Sequence, residues 1–320
     1  MKDELIKLFK QGYIIVILAI VLVSSLGVNV SYSYRNENYL TDYGIQKYNS
    51  SEDLQEKIDS LVQRKNELLS LPDKERDSLP NIEKQILIYQ FLKDNQVEYG
   101  SFMLYEVMGT SNTKDYNSYI SYSIDITTVV LLVAFCFIIL LVFNMDFLNG
   151  TYRFLYQKKG RKHIAIEKLK VGTLLSIGII VGVVSLIVLN GLVMFRDSDS
   201  LPLLFVYEDS VYLIGETLYT VYSFMSWLVF LLTYIIIFLS VSMLIKNLFL
   251  AFVVDIIFVC LTFVFNTTSL SFLFSDVFRG QIISDGCASQ CLILVLVLKF
   301  VVITLLFYIS LRRFLRKEMK

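Results

Sequence analysis

Six long apolar runs leave this sequence little freedom of fold. They occupy 13–30, 124–144, 171–195, 217–245, 249–266 and 291–311. A membrane-spanning helix needs about 20 predominantly apolar residues. Hydrophobic residues make up 55% of the chain and charged residues only 18%. A soluble core does not absorb that much apolar surface, whereas a bilayer does. The expectation is an all-α polytopic membrane protein with six transmembrane helices and a helical extracellular insertion between spans one and two. The first run follows a basic flank, as a signal peptide would. Its apolar core is long and no convincing small-residue cleavage site follows, so it reads as a retained helix.

The formal net charge is zero, but the charges are sorted by segment. Lysine and arginine in short loops set orientation. Lys2, Lys7 and Lys10 precede span one, and a basic loop follows span two. Lys246 lies between spans four and five, and Arg312, Arg313, Arg316, Lys317 and Lys320 end the chain. The loop after span three sets Arg196 against Asp197, Asp199, Glu208, Asp209 and Glu216. With six spans every basic cluster falls on one side. The expected location is therefore the plasma membrane, with both termini cytoplasmic.

The expected domains are 1–30, an interfacial helix running into span one; 31–123, a mainly helical extracellular domain; and 124–320, spans two to six with a cytoplasmic loop at 145–170. Within the second, SEDLQEKIDSLVQRKNELLSL at 51–71 shows helical spacing through Leu54, Ile58, Leu61, Val62, Leu68 and Leu69. Ser50 or Ser51 is its cap, and Pro72 its stop. A second helix starts near Pro80 and runs to about Asn95, with Ile82, Ile86, Tyr89 and Leu92 along one face. The pair reads as a helical hairpin. It is either a cap facing a substrate or partner, or a solvated insertion that packs on the spans.

The loop DFLNGTYRFLYQKKGRKHIAIEKLK at 146–170 is the most informative stretch. Orientation alone accounts for Arg153, Lys158, Lys159, Arg161, Lys162, Lys168 and Lys170 set against Asp146 and Glu167. It does not account for Tyr152, Phe154, Leu155 and Tyr156. Apolar and aromatic residues among cytoplasmic charges suit docking, either into a partner's groove or along the membrane surface. The plainer reading is a basic loop held by anionic headgroups.

On these residues the chain resembles the ABC-2-type permeases, the membrane subunits of one large class of ATP-binding-cassette exporters. Their pattern at the inner end of span two is an acidic residue, Gly-Thr, a Leu-containing helix, an Arg, and Lys-Leu leading into span three. Here stand Asp146, Gly150-Thr151, Leu155, Arg161 and Lys168-Leu169. Asp146 replaces the commoner Glu, which shortens the carboxylate's reach. The amino terminus MKDELIKLFKQGYIIVILAI is similar to the family's interfacial helix. The resemblance implies an export permease that moves a peptide, antimicrobial, drug or lipid-like cargo. It implies that Gly150 turns the chain, Thr151 caps a coupling helix, and Tyr152, Phe154 and Leu155 fill a cleft on the ATPase. Arg161 and Lys168 would pin the return into span three. The implied partners are an ATP-binding-cassette ATPase, a second permease subunit, identical or not, and membrane lipids; no nucleic acid is expected.

The chain has no G-x-x-x-x-G-K-[ST] loop. ATP and Mg are therefore expected on the partner ATPase, and no cofactor in this chain. A single histidine excludes any His-based metal site or triad within the chain, and the expectation is a protein that is not an enzyme. Cys287 and Cys291 form a lone C-x-x-x-C, read as free thiols.

Asp255 and Lys299 lie inside apolar runs. Such residues usually face protein or water. They are candidates for a polar element of the pathway; alternatively they form a structural ion pair, or Lys299 snorkels outward. The rival to transport is a membrane sensor or immunity protein that binds a peptide through its extracellular domain. Co-purification of an ATPase discriminates the two.

Overall fold

The computed structural model describes residues 6, 10, 12–33, 44–70, 78–104, 116–148, 150, 160–195, 201–207, 210–265 and 289–316. It is mostly helical. Each of the six apolar runs falls on a helix: α1 Tyr13–Ser33, α4 Tyr116–Leu148, α5 Arg161–Met194, α6 Glu216–Leu244, α7 Leu248–Phe265 and α8 Ser289–Arg316. Among the described residues, three stretches are long and apolar enough to cross a membrane: Tyr116–Asp146, Lys162–Met194 and Thr217–Leu244. The interfacial helix expected ahead of α1 lies outside the described residues.

Helices α4 and α6 form the centre of the bundle. Helix α4 packs against α1, α5, α6 and α7, while α8 rests on α6 and α5. Leu131, Leu132, Phe135 and Ile139 of α4 and Trp227, Leu231 and Phe238 of α6 are completely buried. The only tryptophan, Trp227, donates its indole N–H to Thr128 Oγ1 at 2.8 Å. That satisfies a donor with no water to turn to. The outer helices stay apolar on their open faces. Val23 of α1 is 66% exposed, Val193 of α5 77% and Phe300 of α8 72%. Continuous faces of this kind suit lipid rather than water.

A smaller polar subdomain sits at one end. Helices α2 (Ser51–Leu69) and α3 (Leu79–Asp94) form the expected hairpin. Ser50 caps α2 by accepting the Asp53 N–H at 3.2 Å, and Asp53 Oδ2 accepts the Asn49 N–H at 3.0 Å. Lys65 and Glu83 bridge the two helices at 2.8 Å. All four apolar residues expected along one face of α3 are buried, whereas on α2 burial is complete only at Leu54 and Ile58, and Val62 and Leu69 are exposed.

The fold departs from the all-α expectation in one respect. Strands β1 (Met103–Leu104), β2 (Leu203–Tyr207) and β3 (Ser210–Ile214) form a three-stranded sheet in that order. Strand β1 pairs parallel to β2, and β2 antiparallel to β3 from Leu203↔Ile214 to Tyr207↔Ser210. The subdomain is therefore discontinuous: the segment after α5 completes a core with Ile45, Tyr89, Leu92, Phe102 and Leu204. The boundary expected at 123 falls inside α4. Asn117, fully buried at the start of α4, joins the parts, donating to Leu201 O at 3.2 Å and accepting from Thr220 Oγ1 at 3.4 Å.

Where α1, α4 and α5 meet below the subdomain, aromatic rings pack tightly. Tyr32 lies 5.3 Å from Tyr119 and 6.0 Å from Phe195, centroid to centroid. Gly191 lets α5 approach, because a Cβ there would lie 2.7 Å from Tyr116 Cε2 and 3.1 Å from Tyr119 Cε1.

Candidate coupling site

The other end of the bundle gathers the basic residues. Gly172 of α5 faces both Leu239 of α6 and Ile139 of α4, so these three helices are level there. Phe314 of α8 meets Phe143 of α4 edge-on at 6.1 Å. Lys162 and Lys170 of α5, Lys246 after α6, and Arg312, Arg313 and Arg316 of α8 are all exposed near this level. Lys10 precedes α1, whose far end meets the start of α4 through Tyr32 and Tyr119. It therefore falls on the same side.

Amid these exposed cations one pair is buried. Lys168 Nζ lies 2.7 Å from Asp146 Oδ2, and the two side chains are 2% and 3% exposed. The same ammonium donates to Val142 O at 2.7 Å and Phe143 O at 3.1 Å. The ammonium thus meets one carboxylate and two carbonyls, all at the end of α4. Asp146 sits in the last turn of α4, where a negative charge opposes the helix dipole. The lysine offsets both that charge and the carbonyl ends. The pair thus fastens the close of α4 to the third turn of α5, on either side of the connecting loop.

Gly150 follows α4 with φ +66 and Gly160 precedes α5 with φ +74, both in the left-handed region that glycine enters without strain. Arg161 is the first residue of α5. Thr151, the expected cap, and Tyr152, Phe154 and Leu155, the expected docking residues, lie outside the described residues, as does the side chain of Arg161.

The sequence pattern singled out Asp146 and Lys168 separately, as members of one motif. It gave no sign that they pair. The signal available was position: each lies within three residues of the same end of an apolar run. Asn144 also escaped sequence reading. It is fully buried, and neither end of its amide has a hydrogen-bond partner among the described residues.

Asp255 of α7 is completely buried against α4, where Cys136 Sγ donates to its Oδ2 at 3.7 Å. Its Oδ1 has no hydrogen-bond partner among the described residues. Nearby, the rings of Phe137 and Phe252 lie 5.0 Å apart, tilted by 38°. Helix α7 packs on α4 and α6, whereas α8, which carries Lys299, packs on α6 and α5. The side chain of Lys299 lies outside the described residues, as do the side chain of Cys291 and the whole of Cys287. Cys136 and Cys260 are free thiols.

Comparisons with known proteins leave the reading to this geometry, since no family profile, no curated protein and no solved structure matches the chain.

Proposed function

We propose that this chain is the permease subunit of an ATP-binding-cassette exporter of the ABC-2 type. In this reading the six helices α1 and α4–α8 are spans, the basic end faces the cytoplasm with both termini, and the polar subdomain is extracellular. The observation that carries it is the buried Asp146–Lys168 pair, which brackets two positive-φ glycines, Gly150 and Gly160. A loop that only tethered two spans would not need its roots locked. A loop that transmits force does, because motion at its tip reaches the spans only through stiff attachments.

The loop residues then take up roles. Tyr152, Phe154 and Leu155 enter the ATPase cleft, Thr151 caps the short helix that presents them, and Arg161 flanks it. Gly150 sets the turn. ATP and Mg bind the partner ATPase, whose closure moves α4 and α5 together and switches access. A second permease subunit completes the transmembrane unit. Asp255, with Lys299 on the neighbouring span, supplies polar character to the pathway for a peptide, antimicrobial, drug or lipid-like cargo. An unsatisfied carboxylate oxygen in the middle of a bundle supports that role for Asp255.

The test is a pull-down from mild detergent, with wild type beside a variant changed to Ala at Tyr152, Phe154 and Leu155. The expected result is a soluble ATPase bound to wild type and lost from the variant, with its ATP hydrolysis lost in parallel. Recovery of folded membrane protein with no ATPase would favour a peptide sensor or immunity protein instead.

A further inference from the structure

Helix α8 packs on α6 and α5 with one side and leaves another open. On the open side Val301, Leu305, Tyr308 and Ile309 are 53%, 55%, 61% and 42% exposed. Residues three and four apart share a helix face. The same progression continues through Arg312 and Arg316, and both are exposed. Arg313, also exposed, stands one turn beyond Ile309. A single stripe of α8 therefore turns from wholly apolar to cationic at one level.

The three arginines fall within five residues, and α8 contains no acidic residue. The next acid in the sequence is Glu318, outside the described residues. Among the described residues none of the three arginines has an ion-pair partner. Membrane orientation and the helix dipole both favour cations at such an end. Neither calls for two arginines in line with an apolar stripe, nor for three neighbouring cations without a counter-ion. The stripe also has a particular length. Val301 precedes Arg312 by eleven residues, which is about 16 Å of helix. One leaflet of a bilayer has a hydrocarbon depth of about 15 Å.

We propose that this face of α8 is a binding site for an anionic phospholipid of the cytoplasmic leaflet. An acyl chain lies along Val301, Leu305 and Ile309, and the headgroup phosphate takes N–H donors from Arg312 and Arg316. A guanidinium presents its donors in a planar fork that matches two phosphate oxygens. The Tyr308 ring falls between the two, at the depth where an apolar ring with a wet hydroxyl is favoured. A net-negative headgroup offsets the clustered arginines, whereas a zwitterionic one brings an ammonium with its phosphate. The face therefore selects by headgroup charge. The proposal rests on the reading of α8 as a span with its arginines in the cytoplasm, and on no other part of the transport reading.

The experiment uses the delipidated full chain in mild detergent. It is equilibrated with equal amounts of phosphatidylglycerol and phosphatidylcholine carrying the same acyl chains. The chain is recovered, and the lipid held per chain is counted by mass spectrometry. Phosphatidylglycerol is expected to be held over phosphatidylcholine by about tenfold or more, the order expected for two surface arginines acting on an anionic headgroup. Arg312→Gln with Arg316→Gln should bring the two lipids close to equality. Lys162→Gln with Lys170→Gln removes the same charge from α5 and should leave the preference in place. All four side chains are exposed, so neither double variant disturbs the bundle core. Excess glycerol 3-phosphate should not displace the bound lipid, because it lacks the acyl chain. Equal retention of the two lipids by wild type, as when a second copy of the chain covers this face, would overturn the proposal. So would a preference that survives the arginine changes, one that the lysine changes abolish equally, or displacement by glycerol 3-phosphate. The ATPase pull-down reads different residues, so the two readings fail separately.

Discussion

Lys168 concentrates the chemistry of the basic end in one atom. It donates to two carbonyls and pairs with the carboxylate of Asp146, which is as buried as it is. Removing one partner strands a buried charge, which costs about 3–5 kcal/mol, whereas replacing both with apolar residues is often nearly neutral. Lys168→Ala should therefore unfold far more readily in detergent than wild type. The double change Asp146→Leu with Lys168→Leu should recover most of the loss in the same unfolding assay. In the polar subdomain, Tyr48 sets an alkaline limit. Its hydroxyl is pushed up to about 12 from an ordinary 10.0, chiefly by burial and then by Tyr89. Tyr89 is also raised by burial, although the Gln46 N–H on its oxygen pulls the other way. Raised acids favour the neutral, folded form. Their contribution is complete below the ordinary value of 10.0 and is lost as pH climbs through about 12. Phenolate absorbance and helical circular dichroism, followed together, should show subdomain unfolding in that window. Tyr48→Phe should flatten the dependence.

Among elements, α5 shows how position decides what a glycine is worth. A methyl at Gly191 would strike Tyr116 and Tyr119, and Tyr119 is held between Tyr32 and Phe195. A methyl at Gly178 meets nothing within 4 Å. Alanine is about 1 kcal/mol better than glycine inside a helix, while overpacking costs about 1–3 kcal/mol. Gly178→Ala should raise the melting temperature in detergent, and Gly191→Ala should lower it; the reverse order would disprove the packing argument. The helices were legible in the sequence because their signals are local: long apolar runs for six of them, and for α2 and α3 a helical period, Ser50 and Pro80. The sheet was not. Met103 and Leu104 become a strand only because Leu203 and Leu204 lie beside them, and a two-residue strand has no period of its own. At the candidate site, residue type was legible at Asp146, Lys168 and Asp255. Their neighbours were not, because the depth at which α4 lies against α5 and α7 is set by side-chain packing and not by either run alone.

For the whole molecule, the decisive feature is polarity along one axis, with the sheet and hairpin at one end and exposed arginines and lysines at the other. If those ends lie on opposite faces of a membrane, single cysteines will report it. Lys65→Cys on α2 should react with an impermeant maleimide on intact cells, above the background of the natural thiols. Arg313→Cys on α8 should react only after permeabilisation. Equal labelling of both would contradict the arrangement. The parallel pairing of β1 with β2 carries a further consequence, for the order of events during synthesis. The hairpin leaves the ribosome early, but the strands that finish its core follow two apolar helices later. Until α4 and α5 have been made and Leu203–Tyr207 has been delivered, Met103 and Leu104 have no strand to pair with and the core that Phe102 shares with Leu204 is incomplete. The small sheet can therefore close only after both intervening helices have been synthesised.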